Sequence, residues 1–510
     1  MTDLKVASHA DHERRWPSPP WARERGGSWG VPTLIVGGGN AARRLTRDLR
    51  ESPDYGLCPV GALDDDPAVR SVSGVPVLGR LSDLHRVVRE QRVLAVVIAI
   101  PSLQPGPLAA LIREATDAGV HVRFLPSFLS AMERVARAAD MRTVNFSSLL
   151  GRQERRRLPA AVRSTVTGAR VLVTGAGGSI GQELCRQIRS CGPAALHMLD
   201  HDESNLHNLQ LELDGKALLD SPEVIIADIR DQTRIQQVFR AARPDIVFHA
   251  AAHKHLPLLE RHPCEGVKSN VLGTQNVVRA SLDCGASRFV LISTDKAADP
   301  RSILGATKRL AEMIVQSNAY GGTEVCSVRF GNVLGSRGSL LMSVADQFEH
   351  GVAVTVTDPD VTRFFMTVEE AVGLVLSAAV MAEYGETFVL DMGEPVRIVD
   401  LVQRFADHLH IPDVQIRYTG LRPGEKLHET LFSEHEERLP TVDPGIWATR
   451  PTRLPPDFGG RIDELYLAAA QGDDAEVRRM LAELMPDYRP AEADEAQLVA
   501  AAKTRYLDEF

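Results

Sequence analysis

No run in this chain reaches the roughly 18 consecutive apolar residues that a membrane-spanning helix requires. Its first 30 residues carry Arg14, Arg15, Arg23 and Arg25 where a secretory signal would have an apolar core. These absences predict a cytoplasmic protein with no membrane insertion, and residues 1–30 read as a disordered arm. Cysteine is scarce: Cys58, Cys185, Cys191, Cys264, Cys284 and Cys326 are the only six, with no paired CxxC spacing. That scatter excludes a disulfide framework and a cysteine zinc site, and predicts reduced thiols. An excess of basic charge is also missing. A net charge of −9 and a pI near 6.0 argue against general nucleic-acid binding. What remains is 510 residues, 44% hydrophobic and 25% charged, ordinary for a globular protein of two to four domains.

One stretch organises the rest. Val171–Val173 is a β-branched, apolar run that reads as a buried strand. It breaks into glycines and resumes as an amphipathic helix with Leu184 and Ile188 on one face. In that turn Gly175, Gly177 and Gly178 let the backbone approach a pyrophosphate. Ser179 and Ile180 open the helix, and Gly181 lets it pack on the strand. A second apolar strand ends in Asp200, about 20 residues on, where a carboxylate holds the ribose 2′-hydroxyl of NAD and repels the 2′-phosphate of NADP. NAD is therefore the expected cofactor. His201 and Arg230 soften that preference.

The other segments alternate strand and helix, which predicts an α/β fold of two Rossmann-like, doubly wound parallel-sheet domains. Residues 31–150 form the first, with a glycine turn at Gly37, Gly39 and Ala42 and an acid at Asp64. Residues 151–168, with Arg152, Arg155, Arg156 and Arg157, are a linker. Residues 169–440 are the main domain. There Asp228 and Ile229 are expected on the adenine edge, and Ala250 and Ala251 leave room for the cofactor. The strand from Arg288 to Ser293 delivers Thr294, Asp295 and Lys296 to the sheet's carboxyl end, where ligands of open parallel sheets bind. Residues 441–510 are a proline-rich segment and a helical tail. Leu310, Met313 and Ile314 are either core or a pairing surface for a homo-oligomer. His253, Lys254 and His255 follow a strand and suit an anionic substrate. They lack the carboxylate or cysteine partner at fixed spacing that a metal site needs, so no metal is expected.

Several runs together resemble an extended short-chain dehydrogenase/reductase acting on nucleotide sugars, and within it the CapD-like UDP-N-acetylglucosamine 4,6-dehydratases. They are Val173–Gly181, His249–His255, Asn270–Thr274, Ser293–Ala297, Gly305–Lys308, Arg329–Gly335, Thr362–Thr367 and Leu421–Lys426. The resemblance spans most of 168–440 and implies a small substrate-binding part at the C-terminal end of that domain. Long members of the family begin with membrane helices, so this chain is similar to a form without them.

The resemblance implies a UDP-sugar substrate, with UDP-N-acetylglucosamine the expected one, converted to a 4-keto-6-deoxy sugar for glycan or sugar-containing metabolite biosynthesis. Asp295 would be the acid for the C6 hydroxyl, Lys296 the base at C5, and Thr294 a hydrogen bond to the C4 oxygen. A lysine base needs a lowered pKa, and Lys308 is the expected neighbouring cation as well as the partner of the nicotinamide ribose. Asn332, Arg363, Arg422 and Glu425 match positions that hold the uridine diphosphate, and Lys254, His255 and Asn270 lie on the substrate side. One departure stands out. Leu304 occupies the place four residues before Lys308 where the superfamily usually has Tyr, so it is expected to pack beside the sugar. Two rivals follow: a nucleotide-sugar 4-epimerase, and a catalytically dead NAD-sensing protein.

Overall fold

In the computed structural model the residues described are 31–51, 57–100, 120–124, 158–215, 218–319, 322–334, 340–349, 352–408 and 414–485, with a few neighbouring positions. The arm at 1–30, the arginines at 152–157 and the end of the tail lie outside them. The chain divides into two compact units near Val144. Among the described residues no helix is long and apolar enough to cross a membrane.

The first unit is a six-stranded sheet. Its strands are β1 (Val31–Val36), β2 (Leu57–Leu63), β3 (Ser71–Val72), β4 (Val75–Gly79), β5 (Ala95–Ile98) and β6 (His121–Phe124), in the order β3-β4-β2-β1-β5-β6. Every pairing is parallel except the β3–β4 hairpin. Leu34, Ile35 and Val36 in β1 have no exposed surface, as a central strand covered on both faces requires. The turn after β1 leads into α1 (Asn40–Glu51). Asp64, just past β2, closes it: Oδ2 accepts from the Gly38 N–H at 2.5 Å and Oδ1 from the Asp66 N–H at 2.8 Å.

The second unit carries a nine-stranded sheet. Its parallel members are β7 (Arg170–Thr174), β8 (Ala195–Asp200), β9 (Val224–Ile226), β10 (Ile246–His249), β11 (Arg288–Ile292), β12 (Glu324–Arg329) and β13 (Thr387–Leu390). With Leu439–Pro440 as β14 and Ile446–Thr449 as β15, the order β14-β15-β13-β12-β11-β10-β7-β8-β9 reverses direction between β7 and β10. That reversal opens a crevice at the carboxyl ends, where Gly175 and Ala250 follow the two strands. The edge is unexpected. β14 (Leu439–Pro440) and β15 (Ile446–Thr449) add antiparallel strands from within the proline-bearing stretch. Pro440 is tolerated because β14 is an edge strand, where a missing N–H breaks no ladder.

Helices cover both faces. α2 (Ser179–Ser190) buries Leu184 and Ile188 on the side of Val171 and Val173. On the other face α3 (Ile303–Ser317) buries Leu310, Met313 and Ile314 with Leu172 and Leu291 in one cluster. Those three side chains are core, which removes them as a pairing surface. The tail's helices, Phe458–Gln471 and Asp474–Leu484, bury Ile462, Leu465, Met480 and Leu481 in the same cluster. At about 1.5–3 kcal/mol for each buried aliphatic side chain, the tail is part of this core.

Candidate active site

The turn between β7 and α2 requires glycine at specific places. Gly175 has φ +67°, and a Cβ there would lie 2.6 Å from the Ala251 nitrogen. A Cβ on Gly181 would overlap the Gly175 carbonyl oxygen. At Gly178 a Cβ would meet only that carbonyl, at 3.2 Å, so this side of the turn is open. Ser179 and Ile180 begin the helix behind it, so the helix N-terminus borders the turn. Asp200 ends β8, is buried, and accepts from the Gly177 N–H at 2.8 Å through Oδ2 and from the Asp202 N–H at 3.0 Å through Oδ1.

Gly175, Gly178 and Asp200 border a cleft of about 210 Å3 that also takes in Asp228, Ile229, Ala250 and Ala251. Arg230 grips both Asp228 oxygens, Oδ1 through Nε and Oδ2 through Nε and Nη2, and holds that carboxyl below its ordinary range. The glycine cradle, the helix N-terminus and the acid at the strand end together fit the pyrophosphate and ribose of a dinucleotide.

The Thr294–Lys296 triplet lies where β11 ends. Thr294 is extended, and Asp295–Ala297 form one tight 3-10 turn capped by the Thr294 hydroxyl. The turn folds the side chains together. Thr294 Oγ1 donates to Asp295 Oδ1 at 2.9 Å, and Lys296 Nζ donates to the same oxygen at 2.9 Å. Lys296 Nζ also reaches Asn332 Oδ1 at 3.4 Å and faces Glu429 Oε1 at 3.9 Å. Asp295 has no solvent exposure, and its Oδ2 has no hydrogen-bond partner. A buried acceptor without a donor is costly, and this one lies at the carboxyl end of the sheet, where a ligand of such a fold binds.

The electrostatics differ from expectation. Burial pushes the Lys296 amine down, but Asp295 and Glu429 push it back, and it settles above its ordinary value. The cation opposing them is Arg363. Lys308 does something else. It is buried, donates to the Ile292 carbonyl at 2.6 Å, and burial lowers it to about 8.

The remaining predicted residues sort by what they touch. Arg363 and Glu425 meet as a largely buried ion pair at 2.7 Å, and the exposed Arg422 donates its backbone N–H to the other Glu425 oxygen at 3.2 Å. Asn270 lies in a π-helical turn, Val267–Leu272. Its amide clamps the His253 backbone at 2.8 and 3.1 Å and donates to the Thr307 hydroxyl at 3.1 Å, so it fixes the loop that bears the exposed Lys254 and His255. Leu304 is 5% exposed and packs in the core cluster.

Sequence reasoning missed Glu429 and Lys426 at this site. Glu429 is buried, its Oε2 has no hydrogen-bond partner, and Lys426 Nζ lies 3.6 Å from it. The run Leu421–Lys426 stops three residues short of that glutamate, and nothing in its spacing ties it to Lys296. His249 is a third residue whose setting the sequence does not disclose. It is buried between Thr174 at 2.6 Å and Thr274 at 3.0 Å, and burial with Lys308 pushes it down to about 3, so it stays neutral and ties β7 and β10 to the helix beyond.

Residues 171–450 match the family model described as polysaccharide biosynthesis protein, and residues 18–126 match one described as a CoA-binding domain. The chain is 40% identical over 422 residues to the probable polysaccharide biosynthesis protein EpsC of Bacillus subtilis, covering 81% of this chain and 70% of that one. It is likewise 40% identical over 414 residues to the capsular polysaccharide biosynthesis protein CapD of Staphylococcus aureus, covering 79% and 69%. Among solved structures it resembles Pen from Bacillus thuringiensis, at 32% identity and a TM-score of 0.52, over 57% of this chain and 90% of that one.

Proposed function

Because this chain belongs to the polysaccharide biosynthesis protein family as a CapD-like extended short-chain dehydrogenase/reductase, we propose that it dehydrates a UDP-N-acetylhexosamine across C5 and C6, using NAD, to a 4-keto-6-deoxy sugar. The observation that carries this reading is the Asp295–Lys296 pair at the sheet's carboxyl edge, with Asp295 fully buried, its Oδ2 unpartnered, and Lys296 partly exposed beside it.

NAD would be held by Gly175, Gly178, Ser179, Ile180 and Asp200, with the adenine near Asp228 and Ile229 and the nicotinamide ribose on Lys308; when bound, it takes a hydride from C4 of the hexose and returns it to C6. The Asp200 carboxylate disfavours the 2′-phosphate of NADP. Thr294 hydrogen-bonds the C4 oxygen and relays its proton to Asp295, to which it is already bonded. Lys296 removes the C5 proton, which the C4 ketone has acidified. Asp295 gives its proton to the C6 hydroxyl, which leaves as water. Lys296 then returns its proton to C5. Both groups finish as they began. Arg363, Arg422, Glu425 and Asn332 hold the uridine diphosphate, guanidinium on phosphate oxygens and carboxylate on ribose hydroxyls. The epimerase reading is weaker because Leu304 is a core aliphatic, so no phenol stands one helical turn before Lys308.

Purified protein incubated with UDP-N-acetylglucosamine in D2O and followed by NMR tests this. Loss of the C6 hydroxyl with deuterium at C5 is expected. Inversion at C4 alone would indicate an epimerase, and no turnover on several nucleotide sugars a sensor. Asp295→Asn and Lys296→Ala should each lower turnover by about 100-fold or more while NAD still co-purifies. Wild-type rates in either variant would refute the acid and base roles of this pair.

A further inference from the structure

We infer that Glu429 receives the proton Lys296 must lose before that lysine can act as a base, so that Glu429 is a positioning residue working through Lys296. This rests on the dehydratase reading above. Proton accounting sets the requirement. A cycle that restores both groups must start with Asp295 as an anion, ready for the C4 proton, and with Lys296 as a neutral amine. Yet Lys296 Nζ lies between two carboxylates, 2.9 Å from Asp295 Oδ1 and 3.9 Å from Glu429 Oε1, an environment that holds an ammonium. The lysine therefore carries one proton too many, and a buried site needs an acceptor within reach.

The neighbours of Lys296 narrow the choice. Asp295 must stay free for the C4 proton. Asn332, at 3.4 Å, offers an amide oxygen that does not accept a proton at neutral pH. Arg363 and Lys426 are cations. Glu429 remains: its side chain is 3% exposed, and its Oε1 faces Lys296 Nζ at 3.9 Å, a gap that a turn of the flexible lysine side chain closes to hydrogen-bond distance, while its Oε2 faces Lys426. The transfer breaks one N–H bond of the ammonium and forms one O–H bond on the carboxylate, giving an amine and a carboxylic acid. Net charge is unchanged and no co-reactant enters. Exchanging an ion pair for two neutral groups lowers the desolvation penalty once substrate excludes water. Lys426, at 3.6 Å from Glu429 Oε2 and anchored on the Ala298 carbonyl at 2.8 Å, opposes the transfer and draws the proton back when the cycle closes.

The test isolates this step from hydride transfer. The 510-residue protein, loaded with NAD, is supplied with UDP-4-keto-6-deoxy-N-acetylglucosamine in D2O, and exchange of the C5 proton is followed by NMR from about pH 6 to pH 9. In the wild type the proton moves within the pair, so the rate should vary little with pH. In Glu429→Gln, solvent must remove it. Exchange should fall about 100-fold at pH 7 and rise about tenfold per pH unit thereafter. Glu429→Asp keeps a carboxyl and should keep the flat profile at a reduced rate. Exchange in Glu429→Gln at or above the wild-type rate, a loss equal at every pH, or a sloped profile in Glu429→Asp would overturn the inference. A wild type that never exchanges C5 would sink the dehydratase reading instead. Circular dichroism of each variant separates these outcomes from misfolding.

Discussion

Replacing Glu436 by Gln removes one of the two carboxylates that neutralise Arg329, a guanidinium with no solvent exposure. Arg329 donates to Glu312 through Nε and Nη2, both at 2.7 Å, and to Glu436 through Nη1 and Nη2 at 2.7 and 2.9 Å. Arg309 bridges the same two carboxylates at 3.0 Å each. Two cations face two anions, and the variant leaves one cation uncompensated. Burial pushes the Glu436 carboxyl up, but Arg329 and Arg309 pull it further down, from an ordinary 4.5 to about 2. That displacement is worth about 3 kcal/mol. The pKa is depressed in the folded state, so the contribution is complete above about pH 5 and disappears as pH falls from 4.5 towards 2. Urea unfolding followed by circular dichroism should show Glu436→Gln less stable by about 3 kcal/mol at pH 7, with the gap about 1 kcal/mol smaller at pH 4. A gap under about 1 kcal/mol at pH 7, or one that widens on acidification, would show that this network is not held together as described.

Two further substitutions probe the cofactor side. Gly181→Ala forces a Cβ onto the Gly175 carbonyl; NAD affinity measured by titration calorimetry should fall about tenfold or more, and unchanged affinity would mean the turn is not the cradle. Lys308 is lowered by burial from an ordinary 10.5 to about 8, so carrying its charge costs the fold about 3 kcal/mol at pH 7. The cost is full below pH 8 and gone above 10.5, so wild-type stability should rise across that range. Lys308→Met removes it while leaving the Ile292 carbonyl without its donor; a net gain of about 1–2 kcal/mol by urea unfolding is expected, with turnover lost. A destabilised or fully active variant would contradict that account.

The fold was legible because local chemistry and global fold agree. Val171–Val173 reads as a strand, and Gly175 and Gly181 read as glycine for reasons the backbone bears out: a positive φ and a close approach. The triplet at 294–296 was legible because it directly follows a strand. Less visible was the last strand, Ile446–Thr449, set among prolines that signal a loop unless an edge position is already known.

Sequence alone determined the alternation of strand and helix, the glycine turn and the set of residue types at the triplet, because each depends on contacts within a few positions. Tertiary structure alone decided the charges those residues meet. Asn270 turned inward to clamp a loop, Lys308 was drawn to a carbonyl, and Glu429 was brought beside Lys296 from a distant loop. A pKa depends on burial and on distances through space, and no spacing along the chain encodes either.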